Sequence, residues 1–130
     1  MDKPQALIIE DYEDQATVFS KALERAGFAV EVVMDGLQAQ QRLKEITPDL
    51  LLLDLHVPHL SGEALLHQVR SDSRFAHTRL ILATADALRA QLLSNEADWV
   101  LLKPISYTQL VQVGQTVLQS LIAPADNEEK

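Results

Sequence analysis

Four short apolar runs, each closed by a polar residue, constrain this chain more than any other feature. They are Ala6–Ile9 before Glu10 and Asp11, Leu50–Leu53 before Asp54, Leu80–Ala83 before Thr84, and Val100–Leu102 before Lys103. An apolar run of that length, rich in Leu, Ile and Val, predicts a strand buried on both faces, and helical patterns separate the runs. A fifth strand is expected at Phe28–Val33, just after the helix-ending Gly27. The helical segments fall at Glu13–Ala26, Gly36–Ile46, Gly62–Ser71, Ala87–Asn95 and Tyr107–Ile122. Asp35 suits the N-cap of the second, with Gln38 reaching back, and Ser61 and Ser106 suit the third and fifth. Strand and helix alternating five times predict a parallel sheet with helices on both faces.

In an open parallel sheet, ligands bind just outside the carboxyl ends of the strands. The polar residues that close the runs are therefore expected at one edge: three acids, a hydroxyl and a lysine. Grouped carboxylates repel one another unless a cation sits among them, and oxygen donors suit a hard divalent ion such as Mg2+. A metal beside Asp, Thr and Lys is suited to handling a phosphoryl group. Asp54 stands out because it ends the most apolar run, where a carboxylate has little structural reason to be. It can ligate a metal, and it can also act as a nucleophile, since carboxylates form acyl phosphates. Each residue has a plainer alternative as a helix cap or surface charge, and only their joint placement counts against it. Lys103 precedes Pro104, and an X-Pro bond at a site edge is a candidate for the cis form.

Composition closes off several classes. A net charge of −8 disfavours a non-specific nucleic-acid surface, which needs clustered Lys and Arg. The absence of cysteine excludes disulfides and thiolate metal sites. No stretch resembles a membrane span or a signal peptide, so the cytoplasm is the simplest compartment. The length fits one domain over residues 1–122, followed by a polar tail at residues 123–130.

Taken in order, the acid pair Glu10–Asp11, the D-x-x-x-P-x-x-x-G pattern from Asp54 through Pro58 to Gly62, Thr84-Ala85 and Lys103-Pro104 resemble the receiver domain of two-component response regulators. The resemblance runs from about Gln5 to Leu121. It implies a flavodoxin-like (βα)5 fold with strand order 2-1-3-4-5. It also implies that Asp54 accepts a phosphoryl group from a sensor histidine kinase or a histidine phosphotransfer protein. By the same likeness, Asp11 and Asp54 ligate Mg2+, Glu10 does so mainly through water, and the backbone carbonyl of His56 completes the set. Thr84 and Lys103 would contact the phosphoryl oxygens. His56 and Asp86 would flank the group, and Tyr12, Gln15 and Ala16 would lie where the phosphodonor docks. The face of helix four, strand five and helix five would carry output to a downstream protein, or to a second copy on phosphorylation. The expected end of the chain soon after helix five suggests a stand-alone module.

Two departures fall on that output side. Receivers commonly carry an aromatic residue three positions before the lysine; here it is Val100, with Trp99 pointing to the opposite side of a regular strand. The segment from Thr84 to Lys103 is also short, so helix four is expected to be short or shifted. Leu88, Leu92, Leu93 and Trp99 are candidates for an exposed apolar patch there, with core packing as the alternative. A competing reading is a Mg-dependent phosphatase of the haloacid dehalogenase type, which also uses an aspartyl nucleophile. Its D-x-D-x-T pattern is not met by Asp54-Leu55-His56-Val57.

Overall fold

A computed structural model describes residues 2–122, and the expected tail lies outside the described residues. The elements alternate as β1 (Gln5–Ile9), α1 (Glu13–Ala26), β2 (Ala29–Val33), α2 (Gly36–Glu45), β3 (Leu50–Asp54), α3 (Gly62–Ser71), β4 (Arg79–Thr84), α4 (Ala87–Leu93), β5 (Trp99–Leu102) and α5 (Tyr107–Ile122). The five strands form one parallel sheet in the order β2-β1-β3-β4-β5. This is the expected flavodoxin-like arrangement.

The central strand shows why the apolar runs read as they do. Leu50, Leu51, Leu52 and Leu53 are all fully buried, and they alternate between two cores. Leu51 and Leu53 pack with Leu7, Ile9, Leu80 and Leu82 against α2, α3 and α4. Leu50 and Leu52 pack with Ala6, Ile8, Ile81 and Ala83 against α1 and α5. Burying each such side chain contributes about 1.5–3 kcal/mol, so a run of leucines at the sheet centre anchors both layers.

Local signals set the helix ends. The Asp35 carboxylate accepts the Gln38 N–H at 2.9 Å, and Ser61 and Ser106 accept from Ala64 and Gln109 at 3.1 and 3.0 Å. The expected return bond, from the Asp35 N–H to the Gln38 side-chain oxygen, is absent among the described residues; separately, the second Asp35 carboxylate oxygen pairs with His59 Nδ1. Two further corrections concern short 3-10 turns. Ser73–Phe75 forms one, capped by Asp72, and Ser94–Glu96 forms another. The latter shortens the fourth helix from the expected Ala87–Asn95 to seven residues.

Candidate functional site

Strand register brings the polar run-ends together. Ile9 lies beside Leu53, Asp54 beside Ala83, and Thr84 beside Leu102, so Glu10, Asp54, Thr84 and Lys103 emerge at the same carboxyl edge. Backbone bonds continue past the strand ends, from Glu10 N–H to the Val33 carbonyl at 3.1 Å and from Lys103 N–H to the Thr84 carbonyl at 2.9 Å. Glu10, Asp54 and Thr84 thus end strands flanked on both sides, and Lys103 ends the edge strand, held to β4. The Lys103–Pro104 bond is cis.

Asp54, Glu10 and Thr84 are buried, whereas Asp11 is exposed. Carboxylate oxygens of Glu10, Asp11 and Asp54 lie within 4.8 Å of one another. Lys103 reaches in over this cluster and donates to Glu10 Oε1 at 2.9 Å and to Asp54 Oδ2 at 3.1 Å. The other Asp54 oxygen accepts the His56 N–H at 3.0 Å, and Glu10 Oε2 accepts the Tyr12 N–H at 3.1 Å. These two main-chain donors have no signature in the residue types; only the geometry of the turns after β1 and β3 reveals them.

The electrostatics follow from burial. Loss of water pushes the Glu10 carboxyl above its ordinary 4.5; the bonds from Lys103 and Tyr12 pull it down, and the Asp54 charge adds to the rise. Burial would depress Lys103, but Glu10 and Asp54 outweigh it, so the ammonium is held above its ordinary 10.5. One lysine therefore serves two buried carboxylates. Asp11 has no protein partner for its carboxylate among the described residues, which leaves it free for a cation. An all-oxygen set with one unpaired acid beside two buried ones fits a hard divalent metal ion.

The loop after Asp54 explains the D-x-x-x-P-x-x-x-G spacing. A Cβ on Gly62 would lie 2.5 Å from the Asp54 carbonyl oxygen, so only glycine lets α3 start this close to the acid. Gly62 N–H donates to the Leu55 carbonyl at 3.2 Å, and the Pro58 carbonyl accepts from Gly36 at 2.9 Å. His59 turns this loop with φ of 74°, in the left-handed region.

Thr84 Oγ1 accepts the Asp86 N–H at 3.0 Å, and the Asp86 carboxylate caps α4 by accepting from Arg89 N–H at 3.1 Å. His56 is exposed and Asp86 is half-buried at the rim. Val100 and Trp99 pack on opposite faces of β5, Val100 with the α2–α3–α4 core and Trp99 with the α1–α5 core. The anticipated patch divides accordingly. Leu88 and Leu92 are 65% and 71% exposed, but Leu93 is buried and Trp99 is partly buried; Leu102 and Tyr107 are exposed as well. Ala16, expected at a docking surface, is buried in α1, while Tyr12 stays exposed. Gln15 carries a buried Oε1 without a hydrogen-bond partner.

Comparison with known proteins bears on the family and the fold. Residues 6–115 match the family described as the response regulator receiver domain. The sensor histidine kinase TmoS of Ectopseudomonas mendocina is 37% identical over 112 residues, covering 84% of this chain and 11% of the kinase. The chain therefore spans only a small part of that relative. A CheY-like receiver domain from Methylobacillus flagellatus has a TM-score of 0.78 at 29% identity, covering 89% of this chain and 99% of that one. The receiver domain of sensor histidine kinase PA1611 from Pseudomonas aeruginosa PAO1 has a TM-score of 0.79 at 26% identity, covering 91% and 99%. That structure holds a magnesium ion coordinated in its active site cleft.

Proposed function

The chain belongs to the response regulator receiver family, and from that premise we propose that Asp54 is its phosphoryl acceptor, with Mg2+ as the cofactor. One observation carries the assignment. Asp54 ends the most buried strand, held by the His56 N–H and Lys103, within reach of two further acids.

The reaction is transfer of a phosphoryl group from a phosphohistidine to an Asp54 carboxylate oxygen. The new O–P bond forms as the donor's N–P bond breaks, and the imidazole nitrogen keeps the electron pair. Such transfer depends on positioning and charge compensation more than on covalent help from the protein. The His56 N–H orients the Asp54 carboxylate through Oδ1 and leaves Oδ2 toward Lys103. Lys103 offsets charge, first on the two carboxylates and then on the phosphoryl oxygens. Thr84 offers a hydroxyl proton to the same oxygens. Mg2+, held by Asp11, Asp54, the His56 carbonyl and, through water, Glu10, would neutralise charge on the incoming group. The magnesium ion in the PA1611 receiver supports this choice of metal.

The partner upstream is a sensor histidine kinase or a histidine phosphotransfer protein, docking beside exposed Tyr12 near α1. Output leaves by the face of α4, β5 and α5, where Leu88, Leu92, Leu102 and Tyr107 are exposed. A second copy of the chain is an alternative occupant of that face. No helix among the described residues is long and apolar enough to cross a membrane, and the compartment we assign is the cytoplasm. The protein catalyses only its own phosphorylation and dephosphorylation. The dehalogenase-type phosphatase lacks support, since His56 stands where that pattern needs its second acid and Pro58 where it needs its threonine.

Acetyl phosphate or beryllofluoride with Mg2+ tests the reading. With acetyl phosphate, wild-type protein is expected to gain one phosphoryl group by mass; with beryllofluoride, which adds no phosphorus, it is expected to shift its NMR resonances around Asp54. Asp54→Asn is expected to do neither. Failure of both reagents to alter wild type would remove Asp54 from the role.

A further inference from the structure

A row of polar contacts joins α3 to the short α4 and its following turn. Glu63, His67 and Arg70 stand at i, i+4 and i+7, which places them along one stripe of α3. Glu63 pairs with Arg89 at 3.3 Å, near the start of α4. His67 Nδ1 pairs with Glu96 Oε1 at 2.8 Å, beyond its end. Arg70 donates to the Glu96 carbonyl at 2.7 Å and to Asp98 Oδ2 at 3.0 Å, just before β5. Against these contacts, α4 buries only Ala90 and Leu93. One exposed ion pair, Glu63–Arg89, lands on α4 itself, and the others fasten the turn and loop that follow it; exposed pairs of this kind are weak and easily exchanged.

The upper contact of this row connects to the phosphosite. Arg89 also lies 3.9 Å from Asp86, the residue whose N–H is held by the Thr84 hydroxyl. On the second route out of the site, through β5, the residue nearest the core on the α4 side is Val100. Val100 is β-branched, stiff at χ1, and packed beside Leu82 in the sheet.

We propose that the state of Thr84 passes to α3 along the contacts Thr84–Asp86–Arg89–Glu63, with the α3 stripe as the register that α4 shifts against. The proposal rests on Asp54 being the phosphoryl acceptor. A group on Asp54 adds acceptor oxygens near Thr84. A hydroxyl turned toward them by χ1 rotation releases the Asp86 N–H and with it the cap of α4. The Asp86–Arg89 contact then loosens, and Arg89 changes its hold on Glu63. Movement of α4 along the stripe alters the far contact between His67 and Glu96. Arg89 and Glu63 are thus relay residues that touch neither metal nor phosphoryl group.

The His67 imidazole is a reporter well along α3 from Asp54, readable by NMR in the full chain. With Mg2+ and beryllofluoride, wild type is expected to shift both the His56 amide and the His67 ring resonances. In Arg89→Gln and Glu63→Gln, the His56 amide should still shift while the His67 response is lost. Glu31→Gln, which breaks the exposed pair with Arg42 elsewhere on the molecule, should keep both responses. A His67 response that survives in both relay variants would overturn the proposal. So would a wild-type His67 that stays still while the His56 amide shifts. Silence at both positions in wild type would instead sink the phosphoryl-acceptor reading, and the relay with it.

Discussion

The two helical layers on this sheet are closed by different forces. α1 and α5 meet through Phe19, Ala22, Leu23, Leu110 and Val117, all fully buried, and α5 has no charged residue in its sixteen positions. On the other face, α2 and α3 also pack apolar side chains, but α4 buries only Ala90 and Leu93; α3 meets it through the Glu63–Arg89 pair and holds the segment after it through His67–Glu96 and Arg70–Asp98. Apolar packing is dense and has one good arrangement, whereas exposed ion pairs have several of similar energy. The α1–α5 layer therefore acts as the fixed base of the site, and α4 as the part that can be moved. The residues proposed to react rise from the sheet between the two layers, so under the proposed function chemistry on a rigid strand would be read by a loosely held helix.

The strongest way to break this contrast is to weaken the base. Phe19→Ala removes a ring that is 1% exposed between α1 and the sheet. Large-to-small changes of this kind cost about 3–5 kcal/mol, so chemical denaturation should show a loss in that range. A loss below that range would mean that α1 is held by something other than its core face.

Close approach of the two helices gives a second test. A Cβ on Gly114 would lie 2.8 Å from the Ala26 Cβ and 3.0 Å from Leu23 Cδ2. Gly114→Val should therefore wedge α5 from α1, at a cost of about 1–3 kcal/mol for overpacking. Adding Ala26→Gly is expected to recover part of that loss, because it clears the nearer atom; strict additivity would contradict the contact.

Across the sheet, Arg70→Ala should cost less, about 1 kcal/mol, because the contacts it loses are partly exposed. Asp98 keeps its 2.7 Å bond from the Leu80 N–H in this variant, so no buried charge is abandoned. The sharper readout is hydrogen exchange. Amides of α4 and of Ser94–Glu96 are expected to exchange faster, while those of α1 and α5 are unchanged. Equal acceleration in both layers would erase the distinction.

What could be read without coordinates follows the same division. Strand ends and the residues on them were legible because Leu50–Leu53 and its counterparts are continuous apolar runs, and strand register then carries Glu10, Asp54, Thr84 and Lys103 to one edge. The spacing from Asp54 to Gly62 was legible as a pattern, but its cause, the 2.5 Å approach to the Asp54 carbonyl, is a property of the folded loop. Lys103 bridging two acids at once was only half visible, since pairing partners 93 and 49 residues away leave no local trace. The α3 stripe was missed altogether. Glu63, His67 and Arg70 look like any solvated helix face until α4 is placed beside them. The end of α4 was misread for a related reason: Ser94-Asn95-Glu96 continues a helical spacing, and its tighter turn reflects where Glu96 and Asp98 are tied.

The smallest expected effect lies in the α2–α3–α4 layer at Asp35, and it is a pH effect. Asp35 caps α2 through the Gln38 N–H and also meets His59, the residue that turns the loop after Asp54. The Gln38 N–H foremost, then His59, holds the Asp35 carboxyl below its ordinary 3.8. A carboxyl that titrates lower in the folded chain than in the unfolded one binds fewer protons when folded, so stability rises with pH across that interval. Its contribution is fully present above 3.8 and is lost as pH falls through the lowered folded value. Other carboxylates titrate nearby, so the test compares wild type with Asp35→Ser, which caps without ionising. Between about pH 5 and about pH 3, near the carboxylate range, wild type should lose slightly more Tm than the variant. Parallel curves would mean that the cap works by geometry alone. In that case the charge of Asp35 would have no part in fastening the β3–α3 loop, and the hold on that side of Asp54 would fall to the Gly36–Pro58 and Gly62–Leu55 backbone bonds.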